Sequence, residues 1–308
     1  MIKKHRIRLL GKEARGRRIA WSTLRDLLEV VGEGCARALR LRIEGRSQAK
    51  GQPPAWLKDA VELDFVGLEE GSTVLCFESR SLREASPSRF TQSDLFPAVD
   101  ADADCFELML ESLRDLVSGN EESELYDDDL VATFQDLEKV TDDRYETIEL
   151  GDGRSVLHIE AKGFQRIREL RRRTPVSHRA RVSGMLDAIR HSDRMFTLVL
   201  ESNRTIRGVA ETVSPASLSR LWGKQVVISG RAVYRPSGAL LRMDADLVEP
   251  ATDADLIWSQ EPRPLEEAVE SSRLHVAQGA KSGISGFFGQ WPGAESDEEL
   301  SRALKELS

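Results

Sequence analysis

Apolar residues recur at two distinct periods along this 308-residue chain, and the places where the period changes mark its elements. Near the N-terminus a short apolar run at 7–10 predicts a strand. Trp21, Leu24, Leu28, Val31, Cys35 and Leu39 then follow at three- and four-residue spacing, which predicts a helix, with Thr23 and Asp26 placed as a capping box. The Gly- and Pro-containing segment 45–54 predicts an exposed loop. Val61, Leu63 and Phe65 alternate as in a strand, 67–72 turns the chain, and 73–78 pairs back as an antiparallel partner. Helical spacing returns in Phe106, Met109, Leu110, Leu113 and Leu116, and again in Leu130, Phe134 and Leu137. A hairpin over 145–150 and 156–160, turning at Gly151-Asp152-Gly153, leads into a helix at 162–173 that stops before Thr174-Pro175.

Beyond Pro175 the period is mostly two. The run 179–189 alternates as a half-buried strand, with Gly184 at its bend, and the polar residues 190–193 lead to a second strand carrying Phe196, Leu198 and Leu200. A shorter strand carries Ile206, Gly208 and Ala210. Ser214-Pro215 then opens a helix with Leu218, Leu221 and Trp222 on it, because serine caps the free backbone N–H groups and proline suits the first turn. Gly223 ends that helix, and two further strands, 225–234 and 239–248, are joined by the turn Arg235-Pro236-Ser237-Gly238.

Three strands, a helix and two strands in that order resemble the OB-fold, a five-stranded Greek-key barrel that often binds single-stranded nucleic acid. The expected architecture is therefore α+β: an N-terminal α+β domain over 1–174, an OB-like barrel over 175–250, and a linker with a partner-binding tail over 251–308. No internal repeat is visible.

Charge divides the chain unevenly. The whole carries −8, yet 165–250 holds sixteen Lys/Arg against eight Asp/Glu, whereas 94–152 holds twenty Asp/Glu against three Lys/Arg. A basic barrel attracts phosphate through counterion release, which makes Arg190, His191, Arg194, Arg207, Tyr234 and Arg235 the nucleic-acid-binding candidates, with His191 in the first barrel loop. Stacking platforms are few, since Phe196 and Trp222 fall at core positions. The simpler expectation is that the arginines solvate the barrel or face the acidic remainder of the chain. The acidic segment in turn either forms a solvated face or packs near the basic barrel and screens it. Within it, Asp127-Asp128-Asp129 fits a helix N-terminus better than a metal site, because carboxylates there meet the positive end of the helix dipole.

No phosphate-binding loop, dinucleotide fingerprint, nucleophile elbow or zinc-protease motif occurs, and the five histidines stand apart from one another and from cysteine. No enzyme activity, metal or cofactor is expected. Cys35, Cys76 and Cys105 sit singly in apolar-periodic runs, as buried thiols do. The N-terminal apolar stretch is too short for a signal-peptide core and nothing later approaches a membrane span, so the expected location is the cytoplasm.

The C-terminal segment is Pro-, Ser- and Glu-rich until it reaches Phe287, Phe288 and Trp291, an apolar cluster in a glycine-rich context too short to form its own core. Ser296 and Glu299 form a capping box before the helical stripe Leu300, Ala303, Leu304 and Leu307, and so short a helix needs a surface to dock on. The run from Phe288 through Trp291-Pro292-Gly293 and the acidic cap to Leu300 resembles the tail of small antitoxins encoded beside PIN-domain ribonuclease toxins. The resemblance implies that Phe287, Phe288, Trp291, Pro292, Gly293, Leu300 and Leu304 bind such a toxin. The chain departs from that pattern in carrying some 280 residues ahead of the tail.

Overall fold

In the computed structural model the described residues are 2–12, 14, 16–69, 73–90, 99–141, 145–190 and 194–265. They belong to one compact unit, Met1–Glu267, with a mixed α+β architecture. His191 and all seven tail residues, Phe287, Phe288, Trp291, Pro292, Gly293, Leu300 and Leu304, lie outside the described residues. No described helix is long and apolar enough to cross a membrane.

The N-terminal half is an antiparallel sheet of β1 (Lys3–Leu10), β2 (Leu63–Glu69), β3 (Thr73–Ser79), β4 (Thr147–Gly151) and β5 (Val156–Ile159), in the order β2-β3-β1-β4-β5. Alternation along β1 sets its two faces: His5, Ile7 and Leu9 are buried, while Lys4, Arg6 and Arg8 point outward to Glu78, Glu69 and Glu149. The buried face packs on α1 (Trp21–Glu44), α5 (Cys105–Ser118), α6 (Asp128–Gln135) and α7 (Ala161–Arg173). Three short helices, α2 (Ala55–Ala60), α3 (Leu82–Ala85) and α4 (Pro87–Phe90), surround a smaller core of Leu39, Ile43, Leu57 and Leu82.

Helix α1 corrects two expectations. Its N-cap is Ala20 and no side chain caps it, so Thr23 and Asp26 form no capping box. Its buried stripe runs through Leu27, Val31, Cys35 and Ala38, whereas Trp21 is 77% exposed and Leu28 is also exposed. Leu28 lies about 100° round the helix from Leu27, enough to leave the core. The capping box that does form is at α5, where Asp104 accepts from Glu107 N and Glu107 reaches back to Asp104 N. Asp127 is the N-cap of α6, accepting from Leu130 N, as the helix-terminus reading of 127–129 requires. Cys35 and Cys105 are buried, but Cys76 is only partly so.

The second half comprises β6 (His178–Arg190), β7 (Met195–Val199), β8 (Thr205–Val209), α8 (Pro215–Leu221), β9 (Gln225–Tyr234) and β10 (Leu240–Pro250), followed by a 3-10 turn at Asp253–Trp258. Ser214 caps α8 and Pro215 occupies its first turn, as expected. The long strand β6 pairs with β9 through its first part and with β7 through its second, bulging between Leu186 and Ala188. Parallel pairing of β10 with β8 closes the ring β10-β8-β7-β6-β9. Backbones approach closely around that ring: a Cβ on Gly208 would lie 2.2 Å from the Phe196 ring and 2.5 Å from Met243 O at the β8–β10 seam, and one on Gly230 would lie 2.1 Å from Asp244 O where β9 pairs with β10. Val182, Leu186, Phe196, Leu198, Ile228 and Met243 fill the interior, which α8 covers with Leu218 and Leu221. Trp222 is not in that core. It is 65% exposed and donates through Nε1 to Asp187 O, because it follows the last helical residue and the chain turns outward there.

Candidate functional site at the sheet–barrel junction

Part of the barrel's basic face meets carboxylates of the same chain. Opposite it runs the loop 119–127 between α5 and α6, which carries Glu121, Glu122, Glu124 and Asp127 and no basic residue. Ser112 Oγ anchors this loop by donating to Leu125 O at 2.6 Å, and the Tyr126 hydroxyl donates to Asn120 O. Burial, with Asp115, Glu121 and Glu122 nearby, raises the Tyr126 phenol well above its usual value and keeps it a donor. Carboxylates so presented meet barrel arginines. Arg207 Nη1 donates to one oxygen of Glu124 at 2.7 Å and Arg235 Nη2 donates to the other at 2.7 Å. Arg235 also donates to Glu122 O at 3.0 Å.

At the base of the loop the pairing is buried. Arg242 on β10 donates from Nη1 to Asp127 at 2.9 Å and from Nε to Asp244 at 2.8 Å, with its side chain 7% exposed and that of Asp127 only 2%. Asp127 further accepts from Ser47 N at 3.1 Å and Ser47 Oγ at 2.5 Å. One carboxylate thus ties the end of the α1 loop, the N-terminus of α6 and the barrel. Burial opposes the charge on Arg242, but the attraction of Asp127 and Asp244 outweighs it and raises the guanidinium's pKa.

Between these contacts lies a cleft of about 620 Å³, walled by Arg42, Glu124, Arg190, Arg207 and Arg242 and floored by Leu41, Met195 and Phe196. Arg42 is held by Glu111 and Ser112 Oγ, each at 3.0 Å, and burial lowers its pKa. The residues read from sequence separate accordingly. Arg190 and Arg207 line the cleft, and Arg235 lies beside it on the β9–β10 turn. Arg194 is in the left-handed region at φ 55° and donates to Glu211 O, outside this cleft. Tyr234 is 1% exposed and stacks on His178, so it presents no surface to a base, and burial pushes its phenol up to about 12. The arginines of α7 also face acidic partners, Arg168 meeting Glu138 and Arg173 meeting Glu121.

No family model, curated protein or solved structure matches the chain. The site therefore rests on its own chemistry. Sequence reasoning missed Arg42 and Glu124 as members of it. The missed signal is the set Arg37, Arg40, Arg42 and Arg46 at the end of α1, a basic cluster outside the stretch read as basic. Among the described residues no group of three or more His, Cys, Asp or Glu is placed to hold a metal.

Proposed function

We propose that the chain is a non-enzymatic, antitoxin-like binding protein that neutralises a PIN-domain ribonuclease through its tail, 287–307. The tail sequence Phe287 to Leu300 supports this, with Trp291 as the anchor and Leu300 and Leu304 on a docking helix. In the folded body one observation carries the reading: Arg207, Arg235 and Arg242 are bonded to carboxylates of the same chain. A face on which these three arginines are already engaged offers a polyanion fewer free cations than an open groove would. The test is co-expression with a small PIN-type reading frame adjacent to the gene. Full-length protein restores growth, truncation after Ser282 abolishes rescue, and Trp291→Ala weakens binding by at least about 2 kcal/mol. Rescue by the truncated chain refutes the tail as the inhibitory element.

A second reading, an OB-like barrel for single-stranded nucleic acid, is favoured by the strand connectivity. A helix between the third and fourth strands and a parallel closure of the third strand on the fifth are what an OB barrel requires. Replacing Arg207 and Arg235 together by Gln would then weaken binding of a labelled single strand by the full chain and reduce its salt slope. Unchanged affinity and slope refute it.

A further inference from the structure

A second concavity, of about 400 Å³, opens where the end of α1 and the following loop meet the turns of the barrel. Its composition differs from that of the screened cleft. Among the described residues Arg40, Arg46, Lys50, Arg89 and Arg194 line it against two carboxylates, Glu44 and Glu211, of which Glu44 pairs with Arg40 at 3.1 Å. Arg46 donates from Nη1 to Glu211 at 2.6 Å, yet its Nε is buried and meets no acceptor among the described residues. A buried donor of this kind is costly unless something accepts from it. Trp56 forms part of the wall, with the Arg89 guanidinium 5.7 Å from its ring centre and Phe90 at its edge. Apart from the exposed Trp222 of the barrel, Trp56 gives this pocket an aromatic surface of its own.

We propose that this pocket binds a nucleotide, its phosphate taken by Arg46, Lys50 and Arg194 and its base lying against Trp56. Excess positive charge selects an anion, the guanidinium fork suits phosphate oxygens, and the indole distinguishes a base-bearing phosphate from a bare one. The volume is in the range of small-ligand sites and suits one nucleotide, free or at the end of a strand. The proposal is independent of the tail, and of the residues on the barrel face it shares only Arg194.

The experiment uses the full chain and a fluorescein-labelled ten-residue oligothymidylate, read by anisotropy at low salt, with adenosine monophosphate, inorganic phosphate and an Asp/Glu-rich peptide as competitors. Trp56→Leu, which keeps the site apolar, should weaken the oligonucleotide at least about fivefold, the loss expected for one stacked base. Lys50→Glu, at an exposed rim position, should weaken it comparably and flatten the salt dependence. The pair Arg207→Gln and Arg235→Gln should leave both unchanged. Competition by the mononucleotide but not by the oligonucleotide's internal residues, seen as equal affinity for long and short strands, assigns a single-nucleotide site, and rising affinity with length assigns a strand. Absence of binding, binding indifferent to Trp56 and Lys50, phosphate competing as well as the mononucleotide, or stronger displacement by the acidic peptide would each overturn the proposal. Loss through Arg207 and Arg235 alone would place the ligand on the barrel face instead.

Discussion

Asp127→Asn tests the junction most directly. Asparagine keeps the shape and remains a good N-cap, so the start of α6 should survive, but the carboxylate charge opposite Arg242 is lost. Removing one partner of a buried ion pair typically costs about 3–5 kcal/mol, because the remaining charge is left desolvated. Here Asp244 still holds Arg242 Nε at 2.8 Å, which places the expected loss at the lower end, about 3 kcal/mol. For a folded unit of this size that corresponds to a fall in Tm of roughly 6–12 °C. Urea unfolding of the single variants, Asp127→Asn and Arg242→Met, and of the double variant supplies the coupling energy. The double variant should be more stable than the sum of the single losses predicts, since no charge is then buried unpaired. A single-variant loss within about 0.5 kcal/mol, the size of an ordinary surface change, or a coupling near zero, would refute the account of Asp127 as the tie between the two halves.

Three further outcomes follow from the same geometry. Glu122→Gln with Glu124→Gln should raise low-salt affinity for a single-stranded oligonucleotide, measured by anisotropy, if the acidic loop competes for Arg207 and Arg235; an unchanged affinity removes the competition. Gly208→Ala should destabilise the protein by about 1–3 kcal/mol in urea unfolding, because the added carbon meets the Phe196 ring and the Met243 backbone at the β8–β10 seam. Glu211 is held below its usual value mainly by the hydrogen bond from Arg46, against opposing burial. A carboxylate depressed in the folded state contributes stability that is present above its unfolded pKa and is lost as pH falls through the folded one. Glu211→Gln should therefore flatten the acid limb of stability against pH, and an identical limb in the variant contradicts that linkage.

What the sequence made legible is what local periodicity encodes. The apolar end of β1 at 7–10, the hairpins on Gly151-Asp152-Gly153 and 235–238, the serine-proline start of α8 and the order of the barrel elements all depend on near neighbours, whereas the alternating start of β1 from Lys3 went unread. Trp21 and Trp222 misled for one reason: each sits at a helix end, where the apolar stripe no longer faces the core. The short helices α2, α3 and α4 carry too few turns for a period to be read. The junction was hidden for a different reason. Arg242 and Asp127 are 115 residues apart, and Arg235 and Glu122 are 113 apart. Two blocks of opposite charge were visible, but whether they meet depends on how the sheet and barrel pack.

The junction contacts differ in strength, and that difference bears on how the barrel face could be used. Arg207 with Glu124 and Arg235 with Glu122 involve side chains that are largely exposed on at least one partner, and exposed pairs are worth about 0.2–1 kcal/mol each. Even with the Arg235–Glu124 pair added, such contacts amount to little against several phosphate contacts at low salt. The Arg242–Asp127 pair is different, because opening it strands a buried charge. A polyanion would therefore displace the tip of the acidic loop and leave its base in place. The face is screened rather than sealed, and salt should act unequally on its two states: it weakens the internal exposed pairs only slightly but weakens strand binding steeply. Binding that appears only at low salt in the native chain, and persists to higher salt once Glu122 and Glu124 are neutralised, is the signature of that arrangement.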